Sequence, residues 1–238
     1  MPHEFQMPQK YIDRMVERLG REHVQETFET ERTALVVVDM QNYFLDESQL
    51  SGAPMGQTIV DNINRIADVV RKTGGIVVWL QNLATDHTPN SWKTVHERFS
   101  PEKGELRIKS MTPGQWPFEL WPTLDVQEED HRVIKRRYSA FVQGSSDIEL
   151  ILTDNGIENI LVSGVATNVC CESTARDAMM LNYRVIMVSD ALAALTIEAH
   201  ENALMSLFGL FADVQKTNQI LEHASLDTTR EFIAEQQV

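Results

Sequence analysis

The chain has 238 residues, 42% of them hydrophobic, which is enough apolar material for the buried core of one α/β domain. Its 35 acidic residues outnumber its 21 basic ones, and the net charge of −14 argues against nucleic acid and anionic membranes as partners. Because no apolar run reaches the roughly 18 residues of a membrane span and no secretory-signal pattern is present, we expect a soluble, cytoplasmic protein.

Residues 9–24 (QKYIDRMVERLGREHV) form the first periodic segment. Apolar side chains recur there at helical spacing, which predicts an amphipathic helix. We interpret residues 1–32 as an N-terminal helical extension and residues 33–238 as the main domain.

The main domain alternates strands with helices. Apolar, β-branched runs predict strands at 33–39, 75–82, 131–137, 158–165 and 184–190. Helical periodicity and glycine stop signals predict helices at 57–75, 147–156, 170–183 and 198–211. This alternation predicts the α/β class, with a doubly wound, mostly parallel sheet and helices on both faces.

The segment from Leu83 to Pro122 is rich in Pro, Trp, Ser and Thr and shows little periodicity, although residues 92–99 (WKTVHERF) could form a helical turn. We predict a long loop here. A loop of this length in a compact domain more often carries function than not.

Reactive side chains follow three of the predicted strands. Asp39 ends the first strand, Lys135 lies at the end of the third, and Cys170 follows the fourth. Ligands of open parallel sheets bind at the carboxyl ends of strands, so we expect these residues to converge. A helix N-terminus and a nearby ammonium would lower the pKa of the thiol, and Asp39 could accept its proton. The combination indicates nucleophilic acyl transfer, and backbone N–H groups of the loop would stabilise the oxyanion.

The two cysteines of the chain are adjacent, in residues 164–174 (GVATNVCCEST). A bond between neighbours cannot link distant segments and departs from relaxed disulfide geometry, so we expect free thiols. Side chains of consecutive helical residues point about 100° apart, so only one of Cys170 and Cys171 can face the site. The spacing alone does not choose between them.

Three segments resemble the isochorismatase-like cysteine hydrolases, which include ureidoacrylate and biuret amidohydrolases, N-carbamoylsarcosine amidase, nicotinamidases and isochorismatase. They are TALVVVDMQNYF, VIKRRYSAF and GVATNVCCEST, and they occur in family order. The resemblance runs from about Thr33 to Ile220. It implies that Asp39 is the general base, Lys135 the assisting cation and Cys170 the nucleophile, while Cys171 packs.

The resemblance also implies details of the nucleophile loop and of assembly. A cis peptide would lie between Val165 and Ala166, and the backbone N–H groups of Ala166 and Cys170 would form the oxyanion hole. Family members commonly form homo-oligomers, and we expect the same here.

As the resemblance implies, a cysteine at the nucleophile position favours cleavage of a C–N bond through a thioester, in a small ureido, carbamoyl or carboxamide substrate. Amide side chains can pair with such a planar group, and aromatic side chains can wall the pocket. The candidate substrate-binding residues are Gln41, Tyr43, Asn82, Gln115, Tyr138 and Phe141. For Phe141, ordinary core packing is an equally good interpretation. Two alternatives stay open: a non-catalytic binding or scaffold protein, and a hydrolase of a small ether or ester.

A metal site is not expected. Nicotinamidases, which the chain also resembles, bind a divalent metal through an Asp-x-His pair and a later His. Here Asp86 and His87 are adjacent and His96 lies further along, so the spacing departs from that pattern. We predict that the protein uses no metal and no other cofactor.

Overall fold

Six parallel strands form one sheet in the computed structural model, which describes residues 4–224. The strands are β1 (Thr33–Val38), β2 (Ile76–Asn82), β3 (His131–Lys135), β4 (Asn159–Val165), β5 (Arg184–Ala193) and β6 (Asp213–Gln215). Their order across the sheet is β3-β2-β1-β4-β5-β6, and every neighbouring pair is parallel. The predicted doubly wound α/β fold is confirmed.

Helices cover both faces of the sheet. They are α1 (Gln9–Leu19), α2 (Asn42–Leu45), α3 (Val60–Lys72), α4 (Thr88–Ser91), α5 (Lys93–His96), α6 (Pro101–Ser110), α7 (Ile148–Asp154), α8 (Glu172–Met180) and α9 (Ile197–Leu207). Val36 and Val38 of β1 point into a core shared with α7, α8 and α9, whereas Leu35 and Val37 point into a second core with α3. Side chains alternate across a strand, so a strand buried on both faces is apolar throughout.

The segment before β1 packs on the main core. Helix α1 ends at Leu19, earlier than the predicted residue 24, because Gly20 takes a left-handed conformation (φ 80°) and its N–H bonds to the Val16 carbonyl at 2.8 Å. Phe5 and Met15 join the core beneath α9. The end of the predicted main domain, 225–238, lies outside the described residues.

The predicted long loop contains three helices. Helices α4, α5 and α6 fall between residues 83 and 122, and α5 lies inside the segment 92–99 where a helical turn was considered. Helix α6 starts with Pro101 after Ser100, whose hydroxyl caps the Lys103 N–H at 3.4 Å. Across the described part of the chain, no helix combines the length and apolar composition of a membrane span.

Candidate active site

The strand order reverses direction between β1 and β4, and candidate catalytic residues flank that point. Asp39 follows β1, and a π-helical turn over Thr167–Cys171 follows β4 and leads into α8. Crevices at the carboxyl ends of strands beside such a reversal are the usual ligand sites of this topology. Lys135 ends β3 and pairs in register with Asn82 of β2, so its side chain starts from the same edge.

Asp39 and Lys135 form a buried ion pair. The Lys135 Nζ lies 2.8 Å from Asp39 Oδ2, and the side chains are 0% and 1% exposed. Nζ also donates to the Arg137 carbonyl at 3.0 Å. Burial raises the pKa of Asp39 above its ordinary value, although the Lys135 charge opposes this, and Asp39 in turn helps to raise the pKa of Lys135. Asp39 itself has a left-handed backbone (φ 52°), an uncommon conformation for a residue with a Cβ.

The Cys170 thiol lies beside this pair, close enough for the charges of Asp39 and Lys135 to act on it. Burial and the Asp39 charge raise the pKa of Cys170, and the Lys135 charge opposes them only in part. The expected lowering of this pKa is therefore overturned, since desolvation of a thiolate outweighs one ammonium. This shift favours the protonated thiol beside the Asp39 carboxylate.

Cys171 occupies a different environment. It is fully buried, packs in the core under α8, and its Sγ lies 3.9 Å from the Ser163 carbonyl oxygen. Burial raises its pKa well above the ordinary value. Both cysteines are free thiols, but only Cys170 lines the cavity described below.

The end of β4, just before the loop that carries Cys170, requires one glycine. Gly164 has φ 102°, and a Cβ there would lie 2.2 Å from the Val38 carbonyl oxygen. This close approach sets β4 against β1 beside the site. The peptide bond between Val165 and Ala166 is cis. Ala166 and Cys170 both line the cavity, and their role as oxyanion-hole donors stays a prediction.

A cavity of about 380 Å³ opens in front of the Cys170 thiol, a volume suited to a small molecule. Three of the predicted substrate-binding residues line it: Tyr43, Asn82 and Tyr138. Asn82 is buried, and its Oδ1 accepts no hydrogen bond from any residue in 4–224. A buried amide oxygen without a donor is available to an N–H group of a substrate.

The other three predicted substrate contacts lie elsewhere. The Gln41 amide is consumed internally: Nε2 donates to the carbonyls of Asn82 (3.1 Å) and Phe118 (2.9 Å), and Oε1 accepts from the Asn82 N–H (2.7 Å). Gln115 is exposed at the start of a short 3₁₀ turn. Phe141 packs on the core, with its ring centroid 5.7 Å from that of Tyr183. In contrast to the prediction, none of these three residues lines the cavity.

Arg107, on α6, lines the same cavity and was not among the predicted site residues. Its side chain is buried, and burial lowers its pKa while the nearby Tyr43, Tyr138, Cys170 and Asp39 oppose the shift. The only sequence signal for it was a capped helix start at Ser100 within the aperiodic segment.

The polar groups once considered for a metal do not form a cluster. Asp86 and His87 are exposed, and His96 packs over Gly104 of α6. Within residues 4–224, the structure groups no three His, Cys, Asp or Glu side chains in a way that could hold a metal ion.

The fold is of the doubly wound α/β class, and comparison with known proteins gives the family. Residues 33–219 match the family described as Isochorismatase domain. The chain belongs to the isochorismatase family of hydrolases. It is 33% identical over 216 residues to a protein named ureidoacrylate amidohydrolase RutB from Klebsiella variicola, covering 84% of this chain and 91% of that protein. It is 34% identical over 175 residues to the protein of the same name from Caulobacter vibrioides, covering 67% and 76%.

Solved structures share the fold. A cysteine hydrolase from Pseudomonas syringae pv. phaseolicola superposes with a TM-score of 0.79 at 24% identity, covering 88% of this chain and all of that one (100%). An N-carbamoylsarcosine amidase from Thermoplasma acidophilum superposes with a TM-score of 0.62 at 26% identity, covering 78% and 96%.

Proposed function

We propose that the protein is an amidohydrolase that cleaves a non-peptide C–N bond of a small ureido, carbamoyl or carboxamide compound. Cys170 is the nucleophile, Asp39 the general base and Lys135 the cation that keeps Asp39 ionised. The observation that carries the proposal is the position of the Cys170 thiol, at a small cavity and within reach of the buried Asp39–Lys135 pair. A buried pair is costly to desolvate, and a binding or scaffold protein has no need for a thiol placed beside it at a cavity.

The first half of the reaction forms a thioester. Asp39 takes the proton of the Cys170 thiol as the sulfur attacks the carbonyl carbon, and the resulting oxyanion is met by the N–H groups of Ala166 and Cys170. The C–N bond then breaks, and the leaving nitrogen takes the proton from Asp39. The raised pKa of Asp39 suits a group that must both accept and return a proton.

The second half regenerates the enzyme. Water attacks the thioester carbonyl and Asp39 accepts its proton; the carbon–sulfur bond then breaks, and Asp39 returns that proton to the sulfur to restore the thiol. Burial alone would lower the pKa of Lys135, but the Asp39 carboxylate raises it, so Lys135 is charged in the resting site. No step in this sequence needs a metal or cofactor.

The names of the relatives favour ureido and carbamoyl substrates, and Asn82 supplies a fitting partner. Its unpaired Oδ1 would accept from the N–H of a planar ureido group, while Tyr43 and Tyr138 bound the space beside it. Ureidoacrylate is our first candidate substrate.

The decisive experiment measures ammonia release from ureidoacrylate, N-carbamoylsarcosine, biuret and nicotinamide. We expect Cys170→Ala to lose at least about 10⁴-fold in kcat. Cys171→Ala is the matched control: the same substitution one residue away, on a thiol that faces the core, should retain activity. A metal chelator should have no effect.

Three results would contradict the proposal. The first is activity lost in Cys171→Ala but kept in Cys170→Ala. The second is turnover of a vinyl ether or ester with none of the amides hydrolysed. The third is an Asp39→Asn variant that hydrolyses the amides as fast as the native protein, because the thiol would then need no proton acceptor at that position.

We further propose that the protein works in the cytoplasm as a homo-oligomer. Free thiols at Cys170 and Cys171 suit a reducing compartment. Leu195 lines the cavity yet is 77% exposed, and Ile197 beside it is 52% exposed, so a second copy could cover this rim. A monomeric mass by light scattering would contradict the assembly.

A further inference from the structure

We propose that Arg107 is the specificity-determining residue of this site and that it binds a carboxylate on the substrate. The inference rests on the proposed function, because it places the scissile group at Cys170 and the carboxylate across the same cavity. The substrate class is then a small anion that carries a ureido or carbamoyl group together with a carboxylate.

Arg107 is a buried cation without a counter-ion. It is 7% exposed, yet its guanidinium donates to no residue in 4–224 and forms no ion pair there. Asp39, the carboxylate whose charge acts on Arg107, is already paired with Lys135 at 2.8 Å. Burying a charge is costly unless a partner compensates, so an unpaired guanidinium at a cavity wall indicates that the partner is a ligand.

The surroundings of Arg107 fit a bidentate anion. The Arg107 Cζ lies 5.8 Å from the ring centroid of Phe99, which also lines the cavity and holds the guanidinium by a cation–π contact. Tyr43 and Tyr138 line the cavity near Arg107 and can add hydroxyl donors. A planar guanidinium presents parallel N–H groups that match the two oxygens of a carboxylate.

The charge balance of the cavity supports the same ligand. Of the residues described as lining it, Arg107 alone carries a formal charge when the Cys170 thiol is protonated. The adjoining Asp39–Lys135 pair sums to zero. The site is thus locally cationic in a protein of net charge −14, which selects against cationic ligands and for anionic ones.

The test compares two ureido compounds that differ in one group, 3-ureidopropionate and N-propylurea. We expect the native protein to hydrolyse the carboxylate with a kcat/KM about 100-fold higher or more. Arg107→Gln should lower kcat/KM for 3-ureidopropionate about 100-fold, mainly through KM, and change that for N-propylurea less than about threefold. Arg107→Lys, which keeps the charge without the fork, should lose about tenfold for the carboxylate.

Lys109→Gln is the matched control, because it removes a positive charge from an exposed position of the same helix and should change neither substrate. A native protein that hydrolyses both compounds with the same kcat/KM, or an Arg107→Gln variant that loses activity on both equally, would overturn the carboxylate site. Melting temperatures identify a variant that has lost activity because it is unfolded. If Arg107→Gln is unfolded, the relative kcat/KM values of Arg107→Lys for the two compounds decide instead.

A binding measurement separates this inference from the catalytic proposal. Calorimetry with 3-ureidopropionate is performed on Cys170→Ala, which cannot turn it over, with and without Arg107→Gln. Binding that weakens about 100-fold in the double variant supports the site even if the native protein hydrolyses neither compound. Equal binding by the two proteins, or no binding to Cys170→Ala, refutes it.

Discussion

Replacing Lys135 with Met would remove one half of the ion pair at the centre of the site. Two unit charges 2.8 Å apart attract by about 6 kcal/mol at an effective dielectric constant of about 20. Part of this attraction only offsets the cost of taking both groups out of water. Removing one partner leaves the other buried and unpaired, so we expect Lys135→Met to lower the free energy of unfolding by about 3–5 kcal/mol.

The assay is urea unfolding at pH 7, with an exposed ion pair as the control. Lys72 Nζ lies 2.7 Å from Asp68 Oδ2, but the two side chains are 70% and 51% exposed. Lys72→Met should therefore cost less than about 1 kcal/mol at nearly the same charge separation. Adding Asp39→Asn to Lys135→Met should recover part of the loss, because the unpaired charge is gone.

The free energy of unfolding of Lys135→Met should also depend on pH. Without Lys135, burial would raise the pKa of Asp39 still further above that of the unfolded chain. The folded variant then binds a proton that the unfolded chain lacks, so its deficit should shrink as the pH falls from 7 towards 5. If Lys135→Met costs no more than Lys72→Met, or its deficit does not change with pH, the pair is not the buried ionic contact described here.

Two further predictions concern the base and the loop. Asp39 must be ionised to accept the thiol proton and burial raises its pKa above the ordinary 3.8, so kcat/KM should fall on acidification at a pH above that value. Asp39→Asn should abolish this limb and lower kcat by about 10²–10⁴-fold; an unchanged pH profile would exclude Asp39 as the base. Gly164→Ala should destabilise the fold by about 3 kcal/mol or more, because the new Cβ meets the Val38 carbonyl at 2.2 Å. Gly114→Ala also has a positive φ (84°) but open space around it, and equal losses for the two in thermal melting would show that the contact with Val38 is unimportant.

The residues at the carboxyl edge of the sheet could be predicted from the sequence more accurately than the residues that line the cavity. The apolar runs of β1, β2 and β4 are buried on both faces, so their bounds were predicted to within one residue at each end. The topology places the residues that follow such strands at one edge of the sheet. This is why the sequence alone could predict that Asp39 and Cys170 lie close together.

The parts that were missed lack such periodicity. Strand β6 has three residues, and two of them are polar: Asp213 accepts the N–H groups of Val24 (3.1 Å) and Gln25 (2.7 Å), a partnership that lies far away in sequence. Gln41 looked like a ligand because amides bind ureido groups, but its amide bonds the backbone instead. Arg107 lies in the segment predicted as a loop, and the packing of α6 against the site buries it.

The hydrogen bonds of the Gln41 amide also affect how the sequence around the cavity can change. Through its amide, Gln41 ties residue 82, at the end of β2, to residue 118, at the end of the 3₁₀ turn that follows α6. Gln81 adds a second tie to the Phe118 carbonyl at 3.0 Å. With both ends of the segment between residues 82 and 118 held in this way, doubling the length of that segment would cost only about 0.6 kcal/mol in loop-closure entropy. The stretch that contains Arg107 can therefore be exchanged or lengthened while Asp39, Lys135 and Cys170 keep their places.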